Sequence, residues 1–191
     1  TCISEDENLL KNSVRAFAET SIQPLVQEMD EAASIPSHLI KQLFDLGVMG
    51  IEIPENYGGS SGTFFHSIVA VEELSRIDPS IGLLVDVQNT LVVNALLHWG
   101  SEELKERYLP KLARASIGAY ALSEADSGSD AFALTTRAIK SGKDFLLKGR
   151  KLWITNAHEA EVFLIFANAQ PELKHRGITA FVIDRDTPGL T

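Results

Sequence analysis

The feature that most restricts how this chain of 191 residues can fold is a change of hydropathy period near Ala115. Before it, apolar residues recur at helical spacing; after it, they come in short strand-sized runs separated by turn formers. Ser4 with Glu7 forms a capping box for a first helix whose apolar face is Leu9, Leu10, Val14, Phe17 and Ala18, and Pro24 predicts its end. Ser37 predicts the cap of a second helix, with Leu39, Ile40, Leu43 and Phe44 inward and Gly47 as its stop. Phe64 to Arg76 reads as a third. Ile81 to Trp99 is apolar on most sides and predicts a long helix buried inside a bundle. The stretch Gly58-Gly59-Ser60-Ser61-Gly62 is followed by no P-loop lysine and has no strand-turn-helix context, so it reads as a connector.

Beyond Ala115 the strand-sized runs are Gly118 to Leu122, Thr135 to Lys140, Asp144 to Lys148, Lys151 to Thr155, Val162 to Ala167 and Ile178 to Asp184, with a turn at Ser141-Gly142-Lys143. No helices alternate with them and no GxGxxG motif occurs, which predicts an antiparallel sheet or barrel and not a Rossmann unit. The expected class is α+β: a helical domain over residues 1–115, then a β-domain over 116–191.

Composition narrows the partners. A formal charge of -9 disfavours nonspecific nucleic-acid or anionic-membrane binding, because most of the surface would be repelled. Cys2 is the single cysteine, so no disulfide or zinc framework can form within one chain. His38, His66, His98, His158 and His175 show no ligand spacing, and no metal is expected. No apolar run approaches the ~20 residues of a membrane span, and Glu5-Asp6-Glu7 is unlike a targeting peptide.

Two segments carry the chemistry. Tyr120-Ala121-Leu122-Ser123-Glu124-Ala125-Asp126-Ser127-Gly128-Ser129-Asp130 runs from a strand into a cluster of turn formers, in which Asp126 and Gly128 tolerate positive φ and backbone N–H groups can face a ligand. In Lys151-Leu152-Trp153-Ile154-Thr155, strand alternation would put Trp153 and Thr155 on one face, so that an indole covers a flat ring while a hydroxyl reaches its edge. Taken singly, Trp153 reads first as a core aromatic, and Ser123 and Thr155 as turn or edge polar groups; the joint match reverses that order.

Together the segments resemble the flavin-binding motifs of the acyl-CoA dehydrogenase family, roughly Tyr-x-x-Thr-Glu-x-x-x-Gly-Ser-Asp followed by Trp-Ile-Thr. The likeness extends to Leu46 through Gly59, to Gly100 through Pro110 and to Gly177 through Phe181, in the family's order. It implies FAD as cofactor and oxidation of an acyl-CoA to the trans-2-enoyl-CoA. Ser123 would bond the pyrimidine end, Trp153 would pack on the ring, Thr155 would reach its hydride-accepting edge, and Tyr120 to Ser129 would supply backbone donors. Ile154 lies within the second motif. Ser129 would face the acyl-CoA, as would His175, which reads equally as a solvent-exposed histidine. Asp126 and Ser127 depart from the family's frequent Gly-Ala, and the extra charge is unfavourable near a phosphate.

In relatives the base that removes the α-proton comes from a C-terminal helical domain beyond the point equivalent to Thr191. The resemblance therefore implies no catalytic base in this chain, a truncated middle domain and an uncovered strand edge. Glu124 and Asp130 are expected to fix the loop through its own N–H groups. An electron-transfer flavoprotein as electron acceptor, homo-oligomerisation as a tetramer and a mitochondrial matrix location are further implications. Ser123-Glu124-Ala125 and Gly177 to Leu190 look most like short and branched-chain members. Two alternatives stand: an acyl-CoA oxidase or nitroalkane-oxidase relative, and a non-catalytic interaction or assembly module.

Overall fold

The computed structural model describes residues 3–191, so Cys2 lies outside the described residues. The chain divides into two compact units, with the boundary between Ser116 and Ile117.

The first unit is helical. Helix α1 (Glu5–Phe17) opens on the expected capping box, with Ser4 accepting from the Glu7 N–H and the Glu7 carboxylate accepting from the Ser4 N–H. Its inward residues are Val14 and Ala18, whereas Leu9 is exposed. The helical path does not end at Pro24. A π segment (Ala18–Ile22) and a 3-10 turn (Gln23–Leu25) carry the chain past the proline, absorbing its missing N–H, into α2 (Val26–Ala32).

Helix α3 (Ser37–Asp45) is capped at Pro36, so Ser37 is its first residue and makes no side-chain cap. Leu39 and Leu43 are fully buried, and Gly47 ends the turn at φ 82, where its N–H donates to the Phe44 carbonyl. The glycine-serine connector folds back onto the segment before it, Ser60, Ser61 and Gly62 donating to the Gly50, Ile53 and Ile51 carbonyls. Those N–H groups are spent on the preceding backbone and cannot cradle a phosphate.

Helix α4 (Phe64–Ser75) matches the expected third helix. The long apolar segment is α5 (Pro79–Asp86), a π segment (Val87–Val93) and α6 (Asn94–Trp99) in one continuous run. By length and composition alone, Pro79–Trp99 is long and apolar enough to cross a membrane, which corrects the expectation that no run is; 56% of its most apolar stretch is buried inside the protein. Ile81, Leu84, Val85, Val92, Val93 and Leu96 all lie in the core. Two buried amides sit at the π segment. Gln88 donates to the Leu112 and Ser116 carbonyls, while Asn89 donates to Val48 and Val85 and accepts from the Ile51 N–H. They satisfy backbone groups both of helices, at Val85 and Leu112, and of the connecting segments at Val48, Ile51 and Ser116. Helix α7 (Glu102–Arg114) closes the unit, with Ser101 as its N-cap.

The second unit is a mixed sheet of five strands: β1 (Gly118–Ala121), β2 (Arg137–Ser141), β3 (Asp144–Lys148), β4 (Val162–Asn168) and β5 (Ile178–Asp184). The β2–β3 hairpin and the β4–β5 pair are antiparallel, as expected, and Gly142 sits at φ 63 in the hairpin turn. Strand β4 also pairs in parallel with β1, from Gly118 opposite Val162 to Ala121 opposite Ile165, and touches β2 at Arg137 opposite Asn168. The sheet is thus mixed and open, not a closed barrel. Strand β4 is central and nearly all buried, which fits its continuous apolar run.

Candidate functional site

The first motif leaves β1 and turns sharply. Glu124 and Ser127 exchange backbone hydrogen bonds (2.9 and 3.2 Å), tightening the chain around Ala125 and Asp126. Ser127 is buried and its hydroxyl donates to the Asp130 carbonyl, while the Asp130 carboxylate accepts from the Phe132 N–H. Asp130 therefore fixes local N–H groups, as expected. Neither Asp126 nor Gly128 adopts positive φ, so the turn does not use the left-handed region foreseen for them. Ser129 is exposed.

Glu124 acts differently from the expectation: its carboxylate reaches past its own loop. One oxygen accepts from the Thr135 N–H and hydroxyl, both at 2.6 Å. The other accepts from the Thr136 N–H (3.0 Å), the Thr136 hydroxyl and the Lys151 ammonium (2.8 Å). Burial pushes the Glu124 pKa up, but the bonds from Lys151, Thr135 and Thr136 outweigh it and hold the carboxyl at about 2.

The second motif is not a strand. Trp153 sits at φ 59 and Asn156 at φ 66, so the segment is an irregular turn and alternation does not set its faces. A bulky residue at positive φ is strained and persists only when its flanks are anchored. The flanks are anchored here: the Leu152 N–H donates to the Ser123 carbonyl at 3.0 Å, and the buried Asn156 amide donates to the Gly118 carbonyl on β1. Lys151 adds a bond to the Leu122 carbonyl at 2.9 Å. Trp153 is 93% exposed, which excludes the core-aromatic reading within this unit. Ser123, Ile154 and Thr155 are half-buried.

Tyr120 is half-buried on β1 with its ring tilted against Phe166 at 4.9 Å, and burial raises its pKa. His175 is exposed and lies against Phe132, ring centres 5.0 Å apart, on a segment (Pro171–Gly177) pinned by the Asn168 amide through the Lys174 carbonyl. The structure thus gathers the two motif segments and sets His175 beside the residues that follow Ser129-Asp130. Sequence reasoning missed Lys151, Thr135, Thr136 and Asn156. The only available signal was a charged residue and two adjacent hydroxyls flanking otherwise apolar runs. Among the described residues no group of His, Cys, Asp and Glu is placed to hold a metal ion.

A helical unit followed by this open mixed sheet, with the two segments joined, defines a known class. Residues 4–116 match the acyl-CoA dehydrogenase N-terminal domain and residues 119–191 the acyl-CoA dehydrogenase middle domain. The chain belongs to the acyl-CoA dehydrogenase family. It is 49% identical to a probable short/branched chain specific acyl-CoA dehydrogenase of Dictyostelium discoideum, over 100% of this chain and 46% of that protein. It is 45% identical to the mitochondrial short/branched chain specific acyl-CoA dehydrogenase of Rattus norvegicus, over 98% of this chain and 43% of that one. The chain spans less than half the length of these relatives. Among solved structures, butyryl-CoA dehydrogenase from Megasphaera elsdenii superposes with a TM-score of 0.94 at 31% identity, over 99% of this chain and 51% of that one. A glutaryl-CoA dehydrogenase from Mycobacterium smegmatis in complex with FADH2 gives 0.90 at 35% identity, over 98% and 47%.

Proposed function

We propose that this protein is an FAD-dependent dehydrogenase that converts a short or branched-chain acyl-CoA to the trans-2-enoyl-CoA. The observation that carries this reading is the bond from the Leu152 N–H to the Ser123 carbonyl, which joins the two motif segments while Trp153 projects almost fully exposed from a strained, anchored turn. An indole held outward beside hydroxyl-bearing residues suits a flat heteroaromatic group. The relative solved with FADH2 and the short/branched-chain names of the similar proteins support the same reading.

When bound, FAD supplies the two-electron acceptor. The protein's residues bind and orient. Tyr120 to Ser129 and Ile154 line the flavin site, Ser123 and Thr155 offer hydroxyls to the ring edge, and Trp153 covers one face. Ser129 and His175, both exposed, take the acyl-CoA side. Glu124 is not the base: it is buried, saturated with donors and held at about 2. Asp130 is committed to the Phe132 N–H. Neither carboxylate is therefore proposed as the α-proton acceptor. Transfer of electrons to an electron-transfer flavoprotein, assembly as a homo-oligomer and residence in the mitochondrial matrix, as the rat relative's name suggests, complete the proposal.

The test is anaerobic addition of short straight and α-branched acyl-CoAs to the complete protein. Bleaching of the visible flavin band is expected, and Thr155→Val should slow it by about tenfold through loss of one hydroxyl bond to a charged centre, with the fold unchanged. A protein that takes up no FAD contradicts the proposal, and rapid reoxidation by dioxygen would mark an oxidase instead.

A further inference from the structure

Lys151 is the point at which the two arms of the flavin site are tied. Its ammonium donates to the Leu122 carbonyl at 2.9 Å and to Glu124 at 2.8 Å, and the side chains of the pair are only 10% and 4% exposed. The next residue along, Leu152, donates its N–H to the Ser123 carbonyl. Side chain and following backbone therefore bind consecutive residues, Leu122 to Glu124, of the facing turn. Trp153 comes immediately after, at a positive φ that its own backbone disfavours. The remaining acceptor capacity of Glu124 is taken by Thr135 and Thr136, which lead into β2. Three chain segments thus converge on one buried carboxylate that is paired with Lys151.

We infer that Lys151 is a positioning residue for the flavin site: its bridge between the Leu122 carbonyl and Glu124 fixes the Trp153–Thr155 turn against the Ser123 turn. The inference rests on the functional reading above. An ion pair that merely stabilised the sheet would sit anywhere in the unit. This one is bonded to the residues that flank both proposed contact surfaces. Without the ammonium, Glu124 keeps its threonine donors, but the Lys151–Thr155 turn loses its side-chain tie to the facing turn and must hold Trp153 against its strain through the remaining bonds, those of Leu152 and Asn156 among them.

The test uses the complete protein and its Lys151→Met and Lys151→Arg variants, with two readouts: FAD affinity from flavin fluorescence, and amide exchange at Leu152 in the FAD-free protein. Lys151→Met should weaken FAD binding by about 10- to 100-fold and speed Leu152 exchange by about tenfold, while the amides of β4 keep their protection. Lys151→Arg keeps the charge in a different shape and should recover part of both. Faster Leu152 exchange with wild-type FAD affinity would reduce Lys151 to a structural role and overturn the inference, as would no change in either readout. If the wild-type protein binds no FAD, the functional reading fails, and Leu152 exchange still decides whether Lys151 holds the turn. Should Lys151→Met not fold, Lys151→Gln, which keeps a donor of shorter reach, decides: wild-type values in both readouts overturn the inference.

Discussion

Replacing Glu73 by Gln should cost about 3 kcal/mol of unfolding free energy and lower Tm by about 10 °C. Glu73 lies on α4 with its side chain 1% exposed, and it is the shared acceptor of three cations. Arg15 grips both of its oxygens at 2.8 Å, Arg76 donates at 2.9 Å and Lys11 approaches to 3.7 Å. The Arg15 fork, aided by Arg76, overcomes burial and holds the carboxyl at about 2. A neutral amide keeps the shape but leaves the guanidinium groups without their counter-charge. The cations are themselves 27 to 47% exposed and can turn toward water, which keeps the loss near the lower end for a broken buried pair. Arg76→Met should cost less, because Arg15 retains both of its bonds. A Tm for Glu73→Gln within about 2 °C of the wild type, measured by thermal unfolding, would contradict this account.

Acid should unfold the protein in a defined window, with Glu73 and Glu124 as the responsible groups. Both carboxyls sit at about 2 when folded, against an ordinary value of 4.5. A depressed folded pKa means that the stabilisation is complete above the unfolded value and is lost as pH falls from there toward the folded value. Each carboxylate then contributes about 3 kcal/mol at neutral pH, so roughly 6 kcal/mol is lost between about pH 5 and pH 2. Urea unfolding across that range should show the decline, and Glu73→Gln combined with Glu124→Gln should flatten it while lowering the neutral plateau. A wild-type profile that stays level down to pH 2 would refute the assignment.

Much of this was legible because the signals are local. The Ser4-Glu7 box, the Gly47 stop, the buried faces of α3 and of the Pro79–Trp99 run, and the Gly142 hairpin all depend on residues a few positions apart. The features that escaped depend on distance or on backbone strain. Arg15 and Glu73 lie 58 positions apart, and no periodicity announces them. The parallel pairing of β1 with β4 joins Gly118 to Val162 across most of the unit. Lys151 to Thr155 imitates a strand in its alternation of residue types, yet Trp153 at φ 59 breaks it, because anchors at Leu152 and Asn156 override local preference. Pro24 likewise reads as a stop, but widening the helix before it and tightening it around it carries the chain through. Residue type singled out the two motif segments that the Leu152–Ser123 bond joins, while nothing in residue type announced the Glu124–Lys151 tie between them.

The central claim is that the Ser123 turn and the Trp153 turn together receive a flavin. Trp153 emission is read as the difference between the complete protein and its Trp153→Phe variant, which removes the contribution of Trp99 and of any other tryptophan. Titration with FAD should quench Trp153 emission strongly, with the same midpoint as the change in flavin fluorescence. FAD that binds while Trp153 emission stays unchanged would place the flavin elsewhere and contradict the account.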